Sequence, residues 1–234
     1  MSTVVFVRHG LTAMTGPVLA GHTPGLHLDE RGVKQAAAVA ARLAPVPLAA
    51  LVTSPLDRCL ETADAIRSGR ELTASVEPRL VEVRYGDWTG RQLKELAKEP
   101  LWRVVQAHPS AAVFPGEAGE GLAAAQARAV AAVRDWDARI TASHGADAVW
   151  LACSHGDIIK ALLADALGLH LDLFQRIVVD PCSVSVVRYT DTRPFVLRVN
   201  DTGGDVAALL PPPKRRRRTK AAADAAVGGG AGPG

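Results

Sequence analysis

Residues 4–10 read Val4-Val5-Phe6-Val7-Arg8-His9-Gly10: four apolar, mostly β-branched residues that stop on a guanidinium, an imidazole and a glycine. The apolar run suits a strand buried on both faces, the kind found in parallel sheets. A buried strand that ends on such polar groups presents them to something polar. In open α/β sheets, ligands bind beyond the carboxyl ends of the strands. A histidine at that edge, beside an arginine and a glycine, suits a nucleophile or base at an anionic group.

The same grammar recurs twice. Ala49–Thr53 reads as a short strand running into Ser54-Pro55-Leu56-Asp57, a serine cap with proline at the first helical position. This places Arg58 in the first turn of a helix that extends to about Arg67. Ala148–Cys153 reads as an apolar strand and runs into Ser154-His155-Gly156-Asp157. The helix that follows carries Ile158, Ile159, Leu162, Leu163 and Ala166 on one face. With the three strands parallel and adjacent, Arg8, His9, Arg58 and His155 meet at one sheet edge. Two guanidinium forks and two imidazoles match a phosphoryl group in charge and geometry. Helix N-termini after Ser54 and Gly156 add amide donors.

Between these stretches the pattern alternates strand and helix. Gly16–Asp29 is a loop rich in Gly, Pro and Thr, and Asp29 caps a helix over 30–43 with Val33, Ala36, Ala37, Ala40 and Leu43 on one face. Residues 76–80 form a third strand. Residues 81–119 are irregular, with a short helix over 93–106, and a helix covers 121–141. Residues 177–189 and 195–199 close the sheet as a hairpin. The fold class expected is a three-layer α/β sandwich, a mainly parallel sheet with helices on both faces.

At 48% hydrophobic and 22% charged residues over 234 positions, the chain has ordinary globular composition and enough length for a sizeable core. We read one domain over residues 1–205 and a disordered tail over 206–234, Pro-rich, then basic, then Ala/Gly-rich. The net charge of +3 misleads, because Lys214–Arg218 with Lys220 supply six positive charges; +3 less six leaves −3 for the remainder. The body therefore argues against a nucleic-acid-binding domain, and only the tail is basic. Three widely spaced cysteines (Cys59, Cys153, Cys182) without a C-x-x-C pair fit a reducing, cytoplasmic setting. Neither a signal peptide nor an apolar run of membrane-spanning length is apparent.

The ordered motifs Arg8-His9-Gly10, Leu28–Gly32, Ser54–Ala63, Leu80-Val81-Glu82, Gly86-Asp87-Trp88-Thr89-Gly90, Pro115-Gly116-Glu117 and Ser154-His155-Gly156 resemble the histidine phosphatase superfamily, in its phosphoglycerate-mutase-like branch. The match runs over about residues 3–200. Residues 8–16 more narrowly resemble an actinobacterial subgroup named as phosphomutases. The resemblance implies a phosphohistidine intermediate on His9, whose attacking nitrogen is neutral and whose other nitrogen donates to a carbonyl. Arg8, Arg58 and His155 would hold the phosphoryl oxygens, with Thr12, Thr15 and Gly156 as further substrate contacts. Glu82 would be the proton donor, with a pKa raised by burial; Glu117 and Asp87 are alternative acids. No metal or cofactor is implied, and the substrate is a small-molecule phosphate monoester. His22 and His27 lie in a loop that would cover the pocket. Trp88 and Trp102 read as packing residues.

Hydrolysis is the expected outcome, because the stretch 91–114, where the mutases of the family carry a long insertion, is short. A phosphomutase is the alternative. A non-catalytic phosphate- or phosphoprotein-binding module is the reading from another class, and an intact His9 speaks against it, since binding alone needs no nucleophile.

Overall fold

The computed structural model describes residues 2–204 and 227–230. Six strands, β1 (Thr3–Arg8), β2 (Leu48–Thr53), β3 (Ala74–Val76), β4 (Val149–Ser154), β5 (Val184–Arg188) and β6 (Phe195–Asp201), form one sheet in the order β3-β2-β4-β1-β5-β6. The four strands β3, β2, β4 and β1 are mutually parallel, and β5 and β6 add an antiparallel hairpin beyond β1. The helices are α1 (Glu30–Leu43), α2 (Asp57–Arg67), α3 (Leu93–Leu96), α4 (Pro100–Ala107), α5 (Leu122–His144) and α6 (Gly156–Ala166). This is the α/β sandwich expected.

The period-2 alternation of the central strands divides the core into two layers. Val5 and Val7 of β1, with Leu151 and Cys153 of β4, pack against α1 and α2 through Ala36, Val39, Cys59, Ala63 and Ile66. Val4, Phe6, Trp150 and Ala152 face the other side and meet α5 and α6. β1 and β4 are therefore buried on both faces, which is why they read as unbroken apolar runs. Cys59, Cys153 and Cys182 are free and buried. No helix among the described residues is long and apolar enough to cross a membrane.

Several expected elements move, each for a local reason. The helix after β2 starts at Asp57 with Leu56 as its N-cap and no side-chain cap; Ser54 Oγ lies short of the helix, where it accepts from Leu56 N–H at 3.4 Å and from His155 at 2.7 Å. The expected strand over 76–80 ends at Val76 and becomes a 3-10 turn over Pro78–Leu80; Pro78 has no N–H for a ladder. The single helix over 93–106 is split into α3 and α4, with Pro100 at the first turn of the second. The strand expected from residue 177 begins only at Val184.

α1 keeps its Asp29 cap, whose carboxylate accepts from Gly32 N–H at 2.7 Å. Its buried stripe, however, is Gly32, Ala36, Val39 and Leu43, and Val33 is 56% exposed. Gly32 sets this rotation. A Cβ there would lie 2.0 Å from the Leu11 carbonyl oxygen, so the helix presses its glycine onto the loop that leaves β1.

Candidate active site

Register places the site. Arg8 pairs with Ser154 across β1/β4, and Thr53 with Cys153 across β2/β4. The three strands thus end level, and the residues just beyond them, His9, Ser54 and His155, share one edge. The continuing backbone is tied there: His9 N–H donates to Ser154 O at 3.1 Å and Ser54 N–H to Cys153 O at 3.0 Å.

His9 is 5% exposed. Its Nδ1 lies 2.7 Å from the Gly10 carbonyl oxygen. A carbonyl only accepts, so Nδ1 carries the proton and Nε2 keeps a lone pair. That lone pair accepts from Arg58 Nε–H at 3.1 Å. Burial and then the Arg58 and Arg8 charges push the His9 pKa well below the ordinary imidazole value, which keeps the ring neutral.

His155 lies behind His9, with ring centroids 5.2 Å apart, and is fully buried. Arg58 Nη2–H donates to its Nδ1 at 3.3 Å, so its Nε2–H donates to Ser54 Oγ at 2.7 Å. Burial, followed by the Arg58 charge, also depresses its pKa. Arg58 bridges the two imidazoles and donates to Gly21 O at 2.8 Å, while its Nη1 has no partner among the described residues. A buried guanidinium nitrogen without an acceptor is costly.

Glu82 is 3% exposed and lines the same cavity as Arg8, His9 and Arg58. Burial first, and the Asp157 charge second, push its pKa up to about 7. The alternatives Asp87 and Glu117 are both exposed and outside the lining. The loop carrying Glu82 is held from both sides. Arg128 of α5 donates to the carbonyls of Arg79, Val81 and Glu82 at 2.6, 2.9 and 3.0 Å, and His22 Nε2 to that of Glu82 at 2.7 Å. His22 therefore acts on the loop, and His27 is exposed and paired with Glu61 at 2.6 Å.

Thr12 and Thr15 line the cavity and hydrogen-bond each other, Oγ1 to Oγ1, at 2.9 Å. His155 and Gly156 are close by but outside its lining. Trp88 and Trp102 pack against each other, centroids 6.3 Å apart, as packing residues do.

Three groups here carry no signal of their own in the sequence: Arg128, Tyr85 and Asp157. Arg128 sits on a helix 46 residues after Glu82, and a lone helix arginine is ordinarily solvated. Tyr85 O–H donates to the buried Asp157 carboxylate at 2.9 Å, and Lys160 Nζ reaches it at 3.2 Å. The only available hint was Asp157 directly following the Ser-His-Gly motif.

A family model described as the histidine phosphatase superfamily, branch 1, matches residues 4–202. The chain belongs to the histidine phosphatase superfamily. Among curated members, Phosphoserine phosphatase 1 of Hydrogenobacter thermophilus is 30% identical over 208 residues, covering 86% of this chain and 93% of that protein. "Probable phosphoglycerate mutase GpmB" of Cronobacter sakazakii is 29% identical, covering 89% of this chain and 95% of its own. Among solved superfamily structures, the mycobacterial glucosyl-3-phosphoglycerate phosphatase complexed with VO3 superposes with a TM-score of 0.73 at 26% identity, covering 85% of this chain and 98% of that one.

Proposed function

We propose that this superfamily member hydrolyses a phosphate monoester through a phosphohistidine on His9. One observation carries the reading: a neutral imidazole with its Nε2 lone pair directed at Arg58 shares a cavity with a buried carboxyl whose pKa stands at about 7. A strand-end histidine needed only for packing has no use for a buried acid in the same cavity.

In the first step His9 Nε2 attacks phosphorus, the P–O bond to the leaving group breaks, and Glu82 gives its proton to that oxygen. Arg58, through its Nη1, together with Arg8, balances charge on the phosphoryl oxygens, His155 holds the Arg58 guanidinium through its Nδ1, and Thr12 and Thr15 donate hydroxyls. Such transfer is mostly positioning and electrostatics. In the second step the Glu82 carboxylate takes a proton from water. The hydroxide oxygen bonds to phosphorus, the P–N bond breaks, and inorganic phosphate leaves. Nothing in this sequence of steps calls on a metal.

Relatives whose names specify phosphoserine and glucosyl-3-phosphoglycerate make small phosphate esters bearing a carboxylate the first substrates to try. The mutase-named relative favours a second reading, return of the phosphoryl group to another hydroxyl. The deciding experiment is turnover of an aryl phosphate and of phosphoserine by wild type and His9→Ala, with rapid-quench capture of an acid-labile phosphoprotein. Loss of both label and turnover in His9→Ala is the expected result. Equal activity of the two proteins would remove the phosphohistidine step. Phosphate appearing on an added hydroxyl acceptor rather than in water would select the mutase reading, and phosphate binding without turnover by either protein would select a binding module.

A further inference from the structure

The carboxyl-terminal residues Val227–Gly230 lie in the mouth of the catalytic cavity. Val227 is 2% exposed and packs into the hydrophobic core, where it lines the cavity beside Leu19 and Tyr85. The glycines that follow satisfy the two charged groups at the edge. Gly228 N–H donates to the Asp157 carboxylate at 2.9 Å. The carbonyls of Gly230, Gly229 and Gly228 accept from Arg8 at 2.6, 3.3 and 3.4 Å. With Val179 O at 2.8 Å, these carbonyls engage both terminal nitrogens of the Arg8 guanidinium. The cavity left beneath is about 30 Å³, room for about two waters.

Glycine is required at two of these positions. Gly228 and Gly229 both have positive φ, 79° and 74°. A Cβ on Gly228 would lie 2.9 Å from Leu19 Cδ1, and one on Gly229 would lie 2.9 Å from Arg8 Nη1. Close approach of a backbone to a buried guanidinium, with amide and carbonyl groups matched to a carboxylate and a cation, is the geometry of a bound peptide, not of an incidental contact.

We propose that Val227–Gly230 is a plug acting in cis, which competes with the phosphoryl group for Arg8 and must leave before an organic phosphate enters. The inference rests on the reading of this cavity as a phosphate site. A plug seated nine-tenths of the time weakens apparent ligand affinity about tenfold.

The test uses full-length protein, comparing wild type with Gly228→Val/Gly229→Val and, separately, with Val227→Asp. These changes lie in the plug, which meets Arg8 only while it is seated. Inorganic phosphate binding is measured by calorimetry, and amide exchange is followed at Gly228. The expected results are binding about tenfold tighter in both variants, KM for an aryl phosphate lowered by a similar factor at unchanged kcat, and a protected Gly228 amide in wild type that phosphate exposes. Equal phosphate affinity in all three proteins would overturn the plug and leave the phosphate site standing. Phosphate binding by none of them would overturn the site reading, and the competition with it, even if the Gly228 amide stayed protected.

Discussion

Arg58 Nε donates to His9 Nε2 at 3.1 Å, so the arginine occupies the lone pair with which the imidazole would attack. The same guanidinium reaches His155 Nδ1 and the Gly21 carbonyl. Arg58 thus fixes the His9 ring, and in the proposed mechanism it would turn to a phosphoryl oxygen. Arg58→Ala should lower kcat about 10²–10³-fold. Arg58→Lys should recover little, because an ammonium lacks both the Nε–H and the planar fork. The Arg58 charge is one cause of the depressed His9 pKa, so the His9 ring in Arg58→Ala should titrate at higher pH. NMR of the ring protons checks this, and an unmoved His9 titration would assign the depression to burial and Arg8.

Glu82 links pH to both rate and stability. Its pKa is raised from 4.5 to about 7, so the folded state holds a proton that an unfolded glutamate has already released. Between these values the native state binds more protons, and stability falls as pH rises. The Glu82 contribution is complete below about 4.5 and is lost by about 7. Denaturant melts should show this decline in wild type and its absence in Glu82→Gln. In the proposed mechanism, the proton on Glu82 serves the leaving oxygen. The rate with an alkyl phosphate should fall above about pH 7, and Glu82→Gln should cost about 10²–10⁴-fold with such a poor leaving group but much less with an aryl ester. An unchanged alkyl-ester rate would assign the acid elsewhere.

Arg128 is not itself part of the cavity lining, yet it holds the carbonyls of Arg79, Val81 and Glu82 together and pairs with Glu120 at 2.6 Å. It is a positioning residue for Glu82. Arg128→Ala leaves the Arg79 and Val81 carbonyls without this donor and the Glu82 carbonyl with His22 alone, at about 1–3 kcal/mol of stability, and loosens the acid. The diagnostic outcome is selective: a larger loss of kcat with alkyl than with aryl phosphates, at nearly constant KM. A uniform loss across leaving groups would mean that Arg128 only supports the fold.

The parts of this fold that were legible in the sequence are those where local chemistry and tertiary position agree. β1 and β4 are buried on both faces and read as apolar runs, and their level ends explain why Arg8, His9 and His155 were readable as one cluster. Gly32 was misread because a glycine looks like a gap in a helix's apolar stripe, whereas here it is the closest contact and leaves Val33 facing solvent. Ser54 was misread because its capping signature is local and its partner, His155, lies 101 residues away. The disordered tail expected over 206–234 falls mostly outside the described residues. Its stretch Val227–Gly230 lies against Arg8 and Asp157, a contact that low-complexity composition cannot announce.

Asp157 and Lys160 form a buried ion pair on α6, 1% and 3% exposed in their side chains, with Nζ to Oδ1 at 3.2 Å. Tyr85 supplies a further donor to the carboxylate, and Gln175 Oε1 an acceptor for Lys160 at 2.5 Å. Breaking one side of such a pair leaves an uncompensated charge in the interior, at about 3–5 kcal/mol, while replacing both with apolar groups of similar size is far milder. Lys160→Met should therefore unfold at markedly lower denaturant, and Asp157→Leu/Lys160→Met should regain much of the loss. The same carboxylate helps raise the Glu82 pKa. Removing its charge in Asp157→Asn should move the falling limb of the alkyl-phosphate rate profile to lower pH. A limb left in place, with stability lowered, would confine Asp157 to holding the fold and assign the shift of Glu82 to burial alone.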